Sequence, residues 1–246
     1  MAARSSASGA RASSSRSTRS ARSTSRRNET GCHAGRRGGP GVTPTEIAAR
    51  LADPAALALA EPTGFDDAED RAVLPARPAA VLVPIVMHAE PTVLLTLRAA
   101  RLSSHAGQVS FPGGRIEAGE TPEAAAVREA AEEVGLDPRL PELLGRLPEH
   151  RTGTGFHIIP VVGLVPPPLN LVPDPAEVEE PFELPLAVVL DPAAPERRMA
   201  EWKGRSRTFW VWPHERHYIW GATAAILVNL ARVLRGAPEA VPARAG

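Results

Sequence analysis

The stretch from His105 to Leu136, HAGQVSFPGGRIEAGETPEAAAVREAAEEVGL, places acidic side chains at spacings that could do chemistry. Glu120 precedes a predicted helix, and Glu129, Glu132 and Glu133 lie within that helix among alanines. At about 100° per residue, these last three side chains fall within a sector of roughly 100°. Like charges held so close repel each other, so the pattern indicates either a solvated acidic face or a site for a cation.

The helix that carries these glutamates has clear boundary signals. Thr121 offers a hydroxyl for the N-cap, Pro122 suits the first helical position, and Gly135 suits a left-handed residue after the last turn. We expect the opposite, apolar side of the helix to lie close to a sheet, because its side chains are small. That side consists of Ala124, Val127, Ala131 and Val134.

A glycine-rich loop precedes the helix and decides between the two interpretations of its charge. In Phe111-Pro112-Gly113-Gly114 the backbone can approach a ligand closely, because two successive residues lack a side chain. Carboxylate and carbonyl oxygens converging there are the ligands that a hard cation prefers. Adjacent glutamates by themselves would indicate only a solvated face. With this loop beside them, the sequence predicts a site for Mg²⁺ or Mn²⁺.

Charge and composition limit the classes of function. Residues 1–40 carry nine arginines and one acid, Glu29, so the remainder holds 19 of the 28 basic and 27 of the 28 acidic groups. An acidic body argues against a specific nucleic-acid-binding surface. The single cysteine, Cys32, excludes an internal disulfide, and no apolar run reaches the roughly 18–20 residues that cross a bilayer. We therefore expect a cytoplasmic protein that does not bind membranes.

The composition also predicts the domain organisation. Residues 1–40 consist mainly of Ser, Arg, Ala and Gly, which bury too little apolar surface to offset the entropy of ordering. This segment is predicted to be a disordered Arg/Ser-rich tail, followed by one domain over 41–240. The tail also resembles a transit peptide, although its composition favours a plain solvated extension.

Hydrophobic periodicity predicts both strands and helices in the domain. Helices are expected at 43–60, 122–134 and 221–236. Strands are expected at 79–88 and 92–98, which form a hairpin, and at 143–150, 157–166, 183–190 and 207–213. Prolines place some of these strands at sheet edges or make them irregular. Strands on both sides of the central helix predict an α+β fold or an α/β/α sandwich.

The spacing across the charged stretch resembles the Nudix box. Gly114 is followed after five residues by Glu120, and after seven more by REAAEEVGL, from Arg128 to Leu136. Ala130 is the one departure, being small where a larger aliphatic residue is usual. The resemblance implies an α+β fold of the Nudix type, an α/β/α sandwich with a mixed central sheet in which the box forms a loop–helix–loop. Within the box, Glu120 and Arg128 would bond to each other or to the loop.

The sequence upstream of the box is similar to the coenzyme A pyrophosphatase branch of that family. LLTLRAARLSSHAGQVSFPGG, residues 94–114, matches the branch signature Leu-Leu-Thr-x-Arg-Ser, then Leu-Arg, then His-x-Gly-Gln-Val-x-Phe-Pro-Gly-Gly. Later blocks also resemble it, at 155–166, 176–190 and 216–227. Ala99 and Ser103 depart from the usual serine and arginine. Arg98 and Arg101 are therefore the nearest candidates to bind a substrate phosphate.

The resemblance also implies roles for the box residues. Glu129 and Glu133 would be the main ligands of Mg²⁺ or Mn²⁺, and the carbonyl of Gly114 would join them. Glu132 would be a further ligand or would orient the others. All three glutamates are thus predicted to be catalytic.

Three further positions complete the predicted site. Glu177, in PAEVEE, is the candidate general base outside the box, although a charge run of this kind also suits a solvated face. His105 and Gln108 lie in the branch signature and, with Gly113, are predicted to contact substrate.

The function that the resemblance implies is metal-dependent hydrolysis of the diphosphate of coenzyme A and its derivatives. The products would be 3′,5′-ADP and 4′-phosphopantetheine or its acyl form. A Nudix hydrolase of another nucleoside diphosphate derivative, such as ADP-ribose or an oxidised nucleotide, stays open as an alternative. So does a catalytically silent nucleotide sensor, although the retained glutamates weigh against it. The expected partner is a small nucleotide substrate, and a homodimer is one option for the oligomeric state.

Overall fold

The computed structural model describes residues 42–61, 63–64, 77–152, 155–202, 205–212 and 214–237. The predicted tail at 1–40 lies outside the described residues, as do residues 238–240 at the end of the predicted domain. No helix in the described ranges is long and apolar enough to span a membrane.

Five helices and twelve strands lie along these described ranges. The helices are α1 (Pro44–Ala52), α2 (Pro54–Leu57), α3 (Pro122–Val134), α4 (Leu186–Val189) and α5 (Gly221–Arg235). The strands are β1 (Thr63–Gly64), β2 (Arg77–Val86), β3 (Thr92–Arg98), β4 (Val109–Ser110), β5 (Gly113–Arg115), β6 (Glu142–Arg146), β7 (His150–Arg151), β8 (Phe156–Val165), β9 (Val178–Pro185), β10 (Glu196–Trp202), β11 (Arg205–Trp212) and β12 (Ile219–Trp220).

A mixed sheet forms the centre of the fold. Strands β2 and β8 run parallel over their whole length, from Arg77 opposite Phe156 to Val86 opposite Val165. The order across the sheet is β1-β7-β8-β2-β3-β4, with β5 paired to β2, β6 to β8 and β9 to β3. Strands β10, β11 and β12 form a second, antiparallel sheet. The predicted mixed central sheet is confirmed.

Helices cover both faces of the central sheet, because successive strand residues point to opposite sides. Ala80 and Leu82 of β2 pack in one core cluster with α3. Val83 and Ile85 of the same strand belong to a second cluster that includes α1, α5 and the smaller sheet. The predicted α/β/α sandwich is therefore confirmed.

The face that α3 turns to the sheet differs from the expected one. Ala125, Ala126, Ala130 and Val134 are buried, whereas Ala124 is exposed. The expectation was correct for Val134 and wrong for Ala124, because alanines occupy several sides of this helix and their periodicity does not single out the packed side. The observed rotation brings Glu133 onto the buried side.

Three other predicted elements need correction. The strand expected at 143–150 is divided into β6 and β7, which pair with separate stretches of β8. The helix expected at 43–60 is interrupted, because Asp53 ends α1 and its side chain accepts the amide of Ala55 to cap α2. The strand expected at 183–190 ends at Pro185 and continues as the single turn α4. Strand β10 was not predicted, since ERRMAEW has no alternation of apolar and polar residues.

The expected hairpin of β2 and β3 is present but short. Only Ile85 with Val93 and Val86 with Thr92 pair across it, because β5 and β9 pair with the two strands further along. Pro160 lies within β8, and its carbonyl accepts the amide of Leu147 at 3.0 Å. Its ring nitrogen faces the same edge, in the gap between β6 and β7, so no ladder hydrogen bond is lost.

Gly113→Ala tests how tightly β5 lies against β2. A Cβ at Gly113 would stand 2.4 Å from the carbonyl oxygen of Ala80 and 2.5 Å from Cα of Val81, and φ is +155°. We expect the free energy of unfolding, measured with urea, to fall by at least about 3 kcal/mol. Gly107→Ala is the control, because φ there is +67° but no atom lies within 4 Å of the added carbon. Equal losses in the two variants would show that the contact with β2 is not the cause.

Candidate functional site

Helix α3 begins and ends where its sequence signals place it. The hydroxyl of Thr121 accepts the amide of Ala124 at 3.2 Å, and Pro122 is the first helical residue. Gly135 follows the last turn with φ of 68°, a left-handed conformation that favours glycine. The helix is therefore fixed at both ends, which sets the direction of its glutamates.

Glu133 is a buried carboxylate at the junction of α3, β3 and β5. Its side chain is 3 % exposed, and Oε2 accepts the amide of Gly113 at 3.1 Å. Nη1 of Arg98, the last residue of β3, lies 3.5 Å from Oε1. Burial raises the pKa of Glu133 to about 7, against the lowering effects of the Gly113 amide and of Arg98. The Gly113 amide and Arg98 therefore offset only part of the cost of burying the charged form of Glu133.

Glu129 lies one helical turn before Glu133 and faces the glycine loop. A Cβ at Gly114 would stand 2.4 Å from the carboxyl carbon of Glu129, so only glycine leaves room for this carboxylate. Burial also raises the pKa of Glu129, although the hydrogen bond from Arg128 opposes the shift. Two carboxylates with raised pKa values thus lie against the backbone of the same loop.

Arg128 ties the loop to the helix. Its Nε and Nη2 donate to the two carboxylate oxygens of Glu120 at 2.9 and 3.0 Å, and Nη2 also donates to the carbonyl of Arg115 at 3.0 Å. Nη1 donates to Glu129 at 2.9 Å and to Glu132 at 3.0 Å. The expected bond between Glu120 and Arg128 is confirmed, and it closes the loop before α3.

Glu132 and Glu177 lie at the edge of this site. The side chain of Glu132 is 60 % exposed and its contact is with Arg128. Glu177 is exposed, and its carbonyl accepts the amide of Ala99, which follows β3, at 2.8 Å. Its charge raises the pKa values of both Glu129 and Glu133, so it lies within electrostatic reach of them.

Three of the candidate substrate-binding residues, Arg101, His105 and Gln108, lie on the segment after β3, whereas Arg98 ends β3 and Gly113 begins β5. Arg101 donates from Nη2 to the carbonyl of Pro175, which holds this segment against the one that carries Glu177. Nδ1 of His105 lies 2.9 Å from Oε1 of Gln108, and the backbone at His105 is left-handed with φ of 57°. A conformation so rarely adopted by a side chain other than glycine indicates that the segment is tightly folded.

The fit of these residues to a divalent cation is partial. Within the described ranges, no set of three or more His, Cys, Asp or Glu side chains is arranged to hold a metal ion. Nη1 of Arg128 bonds to one oxygen of Glu129 and one of Glu132, so these two oxygens are already engaged by a positive charge. Glu129 and Glu133 do fit, since both are hard oxygen donors whose charge is costly where they lie. Gly114 leaves the space that the carboxylate of Glu129 requires beside the loop.

The contact of Arg98 with Glu133 was not foreseen. The sequence placed Arg98 among the residues that bind substrate phosphate, whereas the structure places it beside a predicted metal ligand. The available signal was its position, since it ends the apolar strand β3 and so lies at the edge of the core.

Comparisons with known proteins found a family model, curated relatives and solved structures that are similar to this chain. The NUDIX domain family model matches residues 76–203. A Citrobacter koseri protein named "Uncharacterized Nudix hydrolase NudL" is 43 % identical over 156 residues, which are 63 % of this chain and 81 % of the relative. A protein of the same name from Salmonella newport aligns with the same identity and coverage. Among solved structures, the Nudix hydrolase RenU of M. Smegmatis has a TM-score of 0.38 and 29 % identity, over 45 % of this chain and 71 % of its own.

Arg128→Lys and Glu120→Gln test whether the loop is held through this pair. Each change removes the two-pronged hydrogen bond, so we expect each to lower the thermal unfolding midpoint by a few degrees. The double variant should fall no further than the lower single variant, because both changes remove the same interaction. Arg139→Lys is the control, since Arg139 pairs with Asp137 on the surface and is 87 % exposed. Strictly additive losses would contradict the assignment.

Proposed function

The chain belongs to the Nudix family, and on that premise we propose that it hydrolyses the diphosphate bond of coenzyme A and its derivatives. Water attacks one phosphorus, the bond from that phosphorus to the bridging oxygen breaks, and the products are 3′,5′-ADP and 4′-phosphopantetheine or its acyl form. Membership of the family supports a hydrolase that acts on nucleoside diphosphate derivatives. That the substrate is coenzyme A, and not another nucleoside diphosphate derivative, is the more specific part of the proposal.

The contact between Arg98 and Glu133 is the observation that carries the proposal. Arg98 belongs to the segment that resembles the coenzyme A branch, and Glu133 belongs to the box. The segment and the box therefore meet at one place, although 34 residues separate the two side chains in the sequence. Side chains from the segment are thus positioned to contact a substrate whose diphosphate lies at the box.

Mg²⁺ or Mn²⁺ would be held by Glu129 and Glu133, with the carbonyl of Gly114 as a third donor. Such an ion supplies charge neutralisation at the diphosphate and an acidified water. Glu132 is exposed on the same helix, and we assign it to orienting Arg128 or to a further ligand position. The raised pKa values of Glu129 and Glu133 support this assignment, because an adjacent cation offsets the cost of their burial.

The remaining roles follow from position. Arg98 carries a positive charge beside Glu133, and we assign it to binding the diphosphate of the substrate. Glu177 is exposed and within electrostatic reach of the carboxylates, which suits a general base that takes a proton from water. Arg101 lies three residues beyond Arg98, at the start of the segment that also contains His105 and Gln108. We assign Arg101 to the 3′-phosphate of coenzyme A.

Glu133→Gln tests the role of the buried carboxylate. The amide keeps the volume and removes the charge, so we expect kcat to fall at least about 10²–10³-fold at saturating Mg²⁺. Thermal stability should be unchanged or raised, because a neutral amide carries no desolvation cost of a charge. Glu123→Gln is the matched control on the same helix, since Glu123 pairs with Arg146 on the surface. Near-normal turnover by the Glu133 variant would refute the assignment.

A substrate panel tests the choice of coenzyme A. Purified protein with Mg²⁺ or Mn²⁺ would be assayed against coenzyme A, 3′-dephospho-coenzyme A, ADP-ribose and NADH, and coenzyme A should give the highest kcat/KM. Preference for ADP-ribose would replace the substrate but keep the hydrolase. Absence of turnover on every substrate would favour a nucleotide-sensing domain.

Arginine variants separate the two phosphate sites. Arg101→Ala should raise KM for coenzyme A roughly 10–100-fold and leave 3′-dephospho-coenzyme A nearly unchanged, because only the former carries the 3′-phosphate. Arg98→Ala should lower kcat/KM for both substrates, because both carry the diphosphate. If the loss in the Arg101 variant is the same for both substrates, the 3′-phosphate is not bound there.

A further inference from the structure

Strand β10 is an edge of the smaller sheet. It pairs antiparallel with β11 over seven residues, from Glu196 opposite Val211 to Trp202 opposite Arg205. In the described part of the chain, no strand pairs with its other edge. An edge of this length presents a row of backbone N–H and C=O groups that can pair with another strand.

The side chains along β10 are exposed to solvent. Met199, at the middle of β10, is 75 % exposed, and Arg197, Arg198, Ala200 and Glu201 are also exposed. A flexible apolar side chain at the centre of an exposed edge is costly in water and suits a contact surface.

The sequence of β10 is complementary to itself about Met199. A two-fold axis perpendicular to the sheet pairs two antiparallel copies so that residues at equal distances from Met199 lie opposite each other. Arg197 of one copy then lies opposite Glu201 of the other, and the pair occurs twice. Met199 lies opposite Met199, on the same face as both ion pairs, because alternate strand residues share a face.

One member of each ion pair is already held in place. Arg197 lies on the face of Trp210, with 5.2 Å from its guanidinium carbon to the ring centroid. The stacked guanidinium loses less freedom when it meets a carboxylate than an unrestrained side chain would.

Charged residues on an edge strand often serve to prevent pairing. That explanation requires charges that repel when two edges approach. Here the antiparallel register about Met199 brings opposite charges together at Arg197 and Glu201. Arg198, on the other face, lies opposite Ala200 and diagonal to Arg198 of the second copy, and its Nη2 donates to Glu196 of its own strand at 2.8 Å, which offsets its charge.

We infer that this chain forms a homodimer through its β10 strands, which pair antiparallel about Met199. The two three-stranded sheets then join into one sheet of six strands. The interface is isologous. It involves the smaller sheet, whereas the carboxylates of α3 lie beside the central sheet.

Charge reversal tests the interface and its register together. Sedimentation velocity over a concentration series would give the dissociation constant of the dimer for the full chain. Arg197→Glu and Glu201→Arg each create two like-charge pairs, so each should raise that constant roughly tenfold or more. The double variant R197E/E201R restores opposite charges and should recover a dissociation constant close to that of the unmodified chain.

Arg139→Glu is the matched control, because it changes the net charge as Arg197→Glu does but lies on the surface outside β10. It should change the dissociation constant less than about threefold. Circular dichroism at a fixed concentration checks that each variant is folded, which matters because Arg197→Glu also loses the contact with Trp210. Monomer at all concentrations of the unmodified chain would overturn the inference. So would a dimer that is indifferent to both single reversals, or a double variant no better than the single ones.

Discussion

Burial of the Glu133 carboxylate is the constraint on which the site depends. A carboxylate that is almost fully enclosed must receive hydrogen bonds or an opposite charge, or it is destabilised by several kcal/mol. The Gly113 amide and Arg98 supply part of that compensation, which ties α3 to β5 and to the end of β3. The raised pKa shows that the compensation is incomplete. The three elements α3, β5 and β3 therefore meet at a charge whose burial they compensate only in part.

The glycines of the loop are the steric counterpart of that constraint. Gly113 lies against the backbone of β2, and Gly114 lies against the carboxylate of Glu129. A side chain at either position would push the loop away from the sheet or the glutamate away from the loop. Arg128 then fastens the rest of the loop by bonding to Glu120 and to the carbonyl of Arg115. Rigid placement of carboxylates by packed elements is what a site requires if its geometry is to be formed before substrate arrives.

The candidate site and the proposed dimer interface lie at different sheets. Helix α3 packs on one face of the central sheet. The residues that we assign to the chemistry lie on α3, on strands β3 and β5 of this sheet, and on the segments beside them. The smaller sheet joins the other core cluster through Trp212 and Ile219, and it leaves β10 at its edge. An association through β10 would therefore leave the carboxylates and their arginines in place.

The sequence by itself determined the ends of α3, the sandwich and the membership of the glutamates in one helix. These properties depend on local signals, namely the Thr121 cap, Pro122, Gly135 and the apolar runs of β2 and β8. Only the tertiary structure decided which side of α3 is buried, because alanine is tolerated on several sides of a helix and its pattern is ambiguous. The rotation that the sheet selects buries Glu133 and exposes Glu132, two adjacent residues that look equivalent in the sequence. The meeting of Arg98 with Glu133, and the place of β10 at the edge of a sheet in the described part of the chain, likewise depend on how strands distant in sequence pair, which no local pattern contains.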